Sequence, residues 1–249
     1  MLRKIKMLCL FMNVIKTKRL LLLIPIVLLA IYFCAGIFFD QALVIYIKPL
    51  IIPTFMLYVA ATSFKKRNLI YILFVLFFYV NEVLLLFYEN SIQLFRTAMV
   101  ASFFCYSALL ILGYNSLKEK KLYTLPKGFS LIIFGINCIF LLIVLYLLTS
   151  AVGDIYLEII IVFNAIITVF LGATAVTYLA KYGDKRAYYY FFGTFALIFN
   201  DVFAAIGTYF IDHIAANTMD RVLHFTSFYL IYLFLNKNKV ENLSADLQP

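Results

Sequence analysis

Long apolar runs separated by short polar breaks set the pattern of this chain. Eight runs, roughly 20–39, 43–63, 69–88, 95–114, 129–150, 155–180, 187–211 and 216–235, each approach the ~20 residues that a helix needs to cross a bilayer. Apolar residues are continuous within each run instead of alternating, so helices are predicted in preference to a β-barrel of alternating segments. The expected fold is all-α: a polytopic membrane bundle of eight transmembrane helices. One membrane domain would span 20–235, between a basic cytoplasmic segment at 1–19 and a polar cytoplasmic tail at 236–249.

Composition supports this reading. In 249 residues, 65% are hydrophobic and only 13% are charged, with a mean hydropathy of +1.01. A soluble domain carries closer to half apolar residues. Cys9, Cys34, Cys105 and Cys138 show no C-x-x-C spacing, so neither a disulfide framework nor a zinc site is expected. The bulky Phe33 before Cys34 argues against a lipoprotein-type cleavage site, and the first run is read as a retained span.

Charge then orients the spans. The net charge of +9 would suggest nucleic acid in a soluble chain, but here lysine and arginine gather in the N-terminal segment, in three alternate loops and in the tail. Those loops carry Lys65 to Arg67, Lys118 to Lys127, and Lys181 to Arg186. The opposite loops carry Asp40, Glu89, Asp154 and Asp212. By the positive-inside rule both termini are cytoplasmic, which requires an even number of spans. Of the 21 basic residues, all but Lys48, Arg96 and Arg221 fall on the cytoplasmic side. Arg96 is expected to snorkel toward headgroups or to serve a function, with nothing to choose between them.

The polar residues inside the spans carry the candidate chemistry, because an ionisable group within a bilayer is costly. Asn81-Glu82 lies in the third span and Asn200-Asp201 in the seventh. At about 1.5 Å per helical residue, both acids lie roughly 20 Å from the cytoplasmic face. Lys48, Asp220, Arg221 and His224 lie about 6 to 12 Å in from the outer face. Together they form one polar layer in the outer half. FYVNEVLLLF and LIFNDVFAAI, followed by RTAMVASFF and RVLHFTSFY, suggest two four-helix halves in parallel orientation joined near Lys118.

Two readings of this layer stand side by side. In one, Glu82 and Asp201 share acid and base work, as neighbouring carboxyls in a poorly hydrated site can. In the other, each acid is neutralised in a structural ion pair with Lys48 or Arg221. In the functional reading these two cations hold a phosphate or another anionic headgroup. His224 sits one turn from Arg221, where an ordinary hydrogen-bonded interior histidine is favoured over a functional role. Lys48 precedes Pro49, so a helix irregularity is expected there. His213 is expected to be solvated in an outer loop. H-E-x-x-H, G-x-S-x-G and phosphate-binding glycine loops are absent from the sequence, and neither a metal nor a cofactor is expected.

Eight spans, Lys48-Pro49 in the second, an acid late in the third and FGTFALIFNDVFAAIGTYF in the seventh together resemble the YhhN family of lysoplasmalogenases. The resemblance runs from about Leu43 to Leu235. It implies hydrolysis of the vinyl ether bond of a lysoplasmalogen to a fatty aldehyde and a glycerophospho-headgroup. The family's Gly-Asp in the third span falls on Asn81-Glu82, and its Ser-Asp in the seventh falls on Asn200-Asp201. Its fourth-span histidine has no counterpart near Cys105 and Tyr106. The residues implied are Glu82 and Asp201 for catalysis, with Lys48, Asn81, Asn200, Arg221 and His224 around the substrate. The implied partners are a lysophospholipid or other lipid substrate and the membrane lipids. Nucleic acid is not expected, and self-association is left open. The expected location is a bacterial inner (plasma) membrane. The competing readings are a small ion-coupled carrier using the same acids, and a non-catalytic membrane scaffold.

Overall fold

A computed structural model of the chain describes residues 21–35, 38, 47–63, 69–87, 91–118, 128–151, 153–209 and 214–236. Every regular element among them is helical. The helices are α1 (Leu21–Ala35), α2 (Ile51–Ser63), α3 (Leu69–Leu85), α4 (Ile92–Lys118), α5 (Phe129–Ala151), α6 (Ile155–Tyr182), α7 (Lys185–Tyr209) and α8 (Ile214–Asn236). One helix thus falls on each apolar run. The fit is loosest in the second run, where a 3-10 turn at Lys48–Leu50 precedes α2. Pro49 has no amide hydrogen to donate, which accounts for an irregular start. The basic terminal segments, Cys9 and His213 lie outside the described residues.

Among the described residues two helices, α4 from Ile92 to Leu117 and α6 from Ile155 to Tyr182, are long and apolar enough to cross a membrane. α1 and α3 are apolar but shorter. The chain divides into two compact units, Met1–Arg67 and Asn68–Pro249. The boundary falls before α3, whereas the weak sequence repeat would put a joint near Lys118. In the first unit, α1 and α2 expose large apolar side chains such as Leu23, Val27 and Leu57.

Local chemistry sets the helix ends in the second unit. Asp154, extended at φ −122° and ψ 110°, caps α6 by accepting from the Tyr156 amide at 3.0 Å. Gly183 ends the same helix with φ 58°, a left-handed conformation that costs glycine little, and its amide donates to Leu179 O at 2.9 Å. The Asp184 carboxylate then accepts from the Ala187 amide at 2.7 Å in the first turn of α7. These caps turn the chain sharply between two long helices.

Within the second unit α3 packs along α4, α4 along α6, α6 along α5 and α7, and α7 along α8. Phe228 of α8 closes the arrangement against α3, with its ring 4.9 Å from Phe78 and 5.1 Å from Phe74. Two glycines permit close approach. A Cβ on Gly113 of α4 would overlap the Tyr190 ring and hydroxyl of α7, and one on Gly193 would stand 3.0 Å from Ile231.

Contacts at the two ends give the helix directions. At one end Lys181 Nζ donates to Leu117 O at 2.8 Å and Arg186 Nε donates to Phe234 O at 3.3 Å. Both cations therefore sit on the last carbonyls of α4 and α8, where the helix dipole favours positive charge. At the other end Arg96 pairs with Asp154, joining the starts of α4 and α6. These two helices are parallel, and Lys181 and Arg186, on either side of the turn between α6 and α7, lie at one end of the unit.

Candidate functional site

The interior of the second unit is not uniformly apolar. Asn81, Glu82, Asn200, Asp220, Arg221 and His224 are all buried, while large apolar side chains such as Leu76, Phe104, Ile136 and Phe163 are exposed. In a water-soluble bundle the polar side chains would face out and the apolar ones in.

The network starts on α3. Its buried face carries Tyr71, Phe74, Val75, Phe78, Asn81 and Glu82, a helical spacing that turns the acid toward α8. Arg221 Nη1 donates to Glu82 Oε2 at 2.8 Å, and Arg221 Nη2 lies 2.5 Å from Asp220 Oδ2. One guanidinium thus bridges two carboxylates, one of them on another helix. The planar fork of arginine suits this task better than a lysine would.

His224 lies one turn further along α8. Its Nδ1 is 3.3 Å from Arg221 Nη1 and 4.0 Å from Glu82 Oε1. Arginine can only donate, so Nδ1 is the acceptor and the ring proton belongs on Nε2. The ring is held edge-on by Phe78, with centroids 4.4 Å apart.

The network continues into α7. With its amide nitrogen turned toward α8, Asn200 donates to Asp220 O at 2.5 Å and to Asp220 Oδ1 at 2.8 Å. Asp201, the next residue, is rotated about 100° around the helix and faces elsewhere. It is exposed, and its Oδ2 accepts from the hydroxyl of Tyr106 on α4. The polar belt therefore runs from Glu82 through Arg221, Asp220 and Asn200 to Asp201 and Tyr106, across α3, α8, α7 and α4.

The expected site residues fall into three groups. Glu82, Arg221 and His224 share direct contacts, Asn200 joins them through Asp220, and Asp201 is the next residue after Asn200. Asn81 is buried beside Glu82, and its Oδ1 has no hydrogen-bond partner among the described residues. Lys48 starts the 3-10 turn of the first unit, and its side chain lies outside the described residues.

The sequence repeat is not reproduced in the pairing. Arg221 takes Glu82, whereas Arg96, its counterpart, takes Asp154 at 2.5 Å and lies 5.1 Å above the Tyr156 ring. The Arg96 guanidinium holds the Asp154 carboxyl below its usual range, aided by the Tyr156 amide. Arg96 is thus committed to an ion pair at the helix ends.

Two participants were not among the expected site residues. Asp220 was noticed for its depth alone, though its position beside Arg221 was a usable signal. Tyr106 carried no signal, being one of 19 tyrosines in an apolar chain. Among the described residues no group of three or more His, Cys, Asp or Glu side chains could hold a metal ion. Chemically the belt offers two carboxylates locked to one guanidinium, a third carboxyl bonded to a phenol, and an amide between them. Comparison of the chain with protein-family models, curated proteins and solved structures finds no match.

Proposed function

We propose that the chain is a multi-pass membrane hydrolase of the lysoplasmalogenase type, cleaving the vinyl ether bond of a lysophospholipid. The observation that carries this reading is the pair of acids Glu82 and Asp201, linked by one polar belt across different helices of a unit that exposes many large apolar side chains. The apolar exterior supports burial of all eight helices in a bilayer. The gathering of Lys181 and Arg186 with the ends of α4 and α8 supports a cytoplasmic placement for that end. A bacterial inner membrane is the expected site.

Vinyl ether hydrolysis needs a proton delivered to carbon and a means of stabilising the oxocarbenium ion that results. Glu82, kept beside Arg221, supplies fixed negative charge. Asp201 supplies the second carboxyl. Water then adds to the carbon bearing oxygen, and the hemiacetal collapses to an aldehyde and the glycerophospho-alcohol. Arg221 and His224 are the candidates for headgroup recognition.

The test is aldehyde release from a lysoplasmalogen by purified protein in detergent, for wild type, Asp201→Asn and Glu82→Gln. Activity in the wild type that falls at least a hundredfold in each variant is the expected result, since positioned acid-base groups contribute about 10²- to 10⁴-fold. A well-folded wild type that releases no aldehyde would remove the hydrolase reading. Proton-coupled uptake into liposomes, abolished by the same substitutions, would then put a carrier in its place.

A further inference from the structure

The acids of the belt are held in two different ways. Glu82 and Asp220 are each 5% exposed, and both face the Arg221 guanidinium. Removing the charge of either one disrupts a buried ion pair. Asp201 is exposed, and the partner of its Oδ2 is a neutral hydroxyl. A tyrosine hydroxyl can donate to a carboxylate and accept from a carboxylic acid. The Tyr106–Asp201 bond therefore survives a change in the proton count of Asp201 by rotation of the hydroxyl.

Tyr106 itself is 1% exposed, and so it has no access to a substrate at the surface. It projects from the buried face of α4, where its neighbours Cys105, Ala108 and Leu109 are also buried. Packing fixes the ring, and the ring fixes the hydroxyl. One oxygen of Asp201 is held by Tyr106, and the residue keeps an exposed side. A lipid carrying its reactive bond near the headgroup would meet this exposed side.

We propose that Tyr106 is a positioning residue that makes Asp201, and not Glu82, the proton donor of the belt. This rests on the hydrolase reading and deepens it by dividing the roles of the two acids. In the first step the O–H bond of Asp201 breaks and its proton joins the vinyl carbon remote from oxygen. The π pair forms the new C–H bond, leaving an oxocarbenium ion and an Asp201 carboxylate that accepts from Tyr106. Water adds to the carbon attached to oxygen and returns one proton to Asp201. The C–O bond of the hemiacetal then breaks. The remaining hydroxyl proton passes to the departing alkoxide, so one water is consumed for each aldehyde and alcohol formed.

The test is Tyr106→Phe, which keeps the packed ring and removes the hydroxyl alone. Steady-state kinetics on a lysoplasmalogen should show kcat lowered by roughly ten- to a hundredfold, with KM within about twofold, because the substrate does not touch Tyr106. Infrared spectra supply a second readout that needs no turnover. The Asp201 band, identified as the one missing from Asp201→Asn, should shift in Tyr106→Phe. An active wild type whose kcat is unchanged by Tyr106→Phe overturns the assignment while leaving the hydrolase reading intact. A lowered kcat with an unmoved Asp201 band overturns it as well, since the loss then arises elsewhere. A folded wild type without aldehyde release overturns both.

Discussion

Arg221 reaches from α8 to Glu82 on α3 at 2.8 Å, and the same guanidinium also meets Asp220, its neighbour in sequence, at 2.5 Å. All three residues are 5% exposed. One cation therefore serves two buried carboxylates, and the two sides of the pair are not equivalent.

Arg221→Ala should be the more damaging substitution, since it leaves both Glu82 and Asp220 without the guanidinium. Breaking one side of a buried ion pair costs about 3–5 kcal/mol. Thermal unfolding in detergent should show a larger loss for Arg221→Ala than for Glu82→Gln. The double variant Arg221→Met with Glu82→Gln should be less destabilised than the sum of its parts.

Gly113 is the contact point of α4 with α7. Gly113→Ala puts a methyl group into the Tyr190 ring, whose Cε1 would lie 2.9 Å away, while the Tyr190 hydroxyl donates to Leu109 O at 3.2 Å. Overpacking of this kind costs about 1–3 kcal/mol. A second substitution, Tyr190→Leu, should relieve part of that cost. A melting-temperature cycle that is additive would show that the two side chains do not meet.

The Arg96–Asp154 pair predicts a dependence on acid. Its carboxyl titrates below the ordinary 3.8 because Arg96 donates to it, so the folded state binds its proton less readily than the unfolded one. The stabilisation is complete above about pH 4. It is lost as pH falls through the depressed folded value. Arg96→Gln should flatten that acid limb of the stability profile. Asp154→Ala should flatten it too, and should also remove the cap on α6.

The proposed orientation can be tested with single cysteines in a cysteine-free background. Gly153 and Lys185 are both exposed and sit at the two ends of α6 and its following turn. In intact cells an impermeant maleimide should label Gly153→Cys and spare Lys185→Cys until the membrane is opened. The reverse pattern would invert the bundle.

Much of the fold was legible because helices in a nonpolar setting satisfy their own backbone and need long apolar runs. The helices α1 to α8 fall on the eight runs for that reason, and Pro49 marked an irregular helix start by purely local chemistry. The site was legible only in depth. Counting 1.5 Å per residue put Glu82, Asp201, Arg221 and His224 in one layer, but it says nothing of rotation about each helix axis. Arg96 illustrates the consequence. Its sequence surroundings parallel those of Arg221, yet it pairs with Asp154 at the helix ends instead of with an acid of the layer.

What the sequence determined by itself was the all-helical pattern, the segregation of charge to alternate connections and the presence of acids inside apolar runs. Each follows from a residue's own chemistry or from that of its near neighbours. Tertiary structure alone decided who meets whom. It turned Asn200 toward Asp220 and Asp201 toward Tyr106, although the two residues are adjacent, because a step of one residue rotates a helix by about 100°. It also recruited Tyr106, whose hydroxyl became distinct from those of the other tyrosines only when α4 packed beside α7.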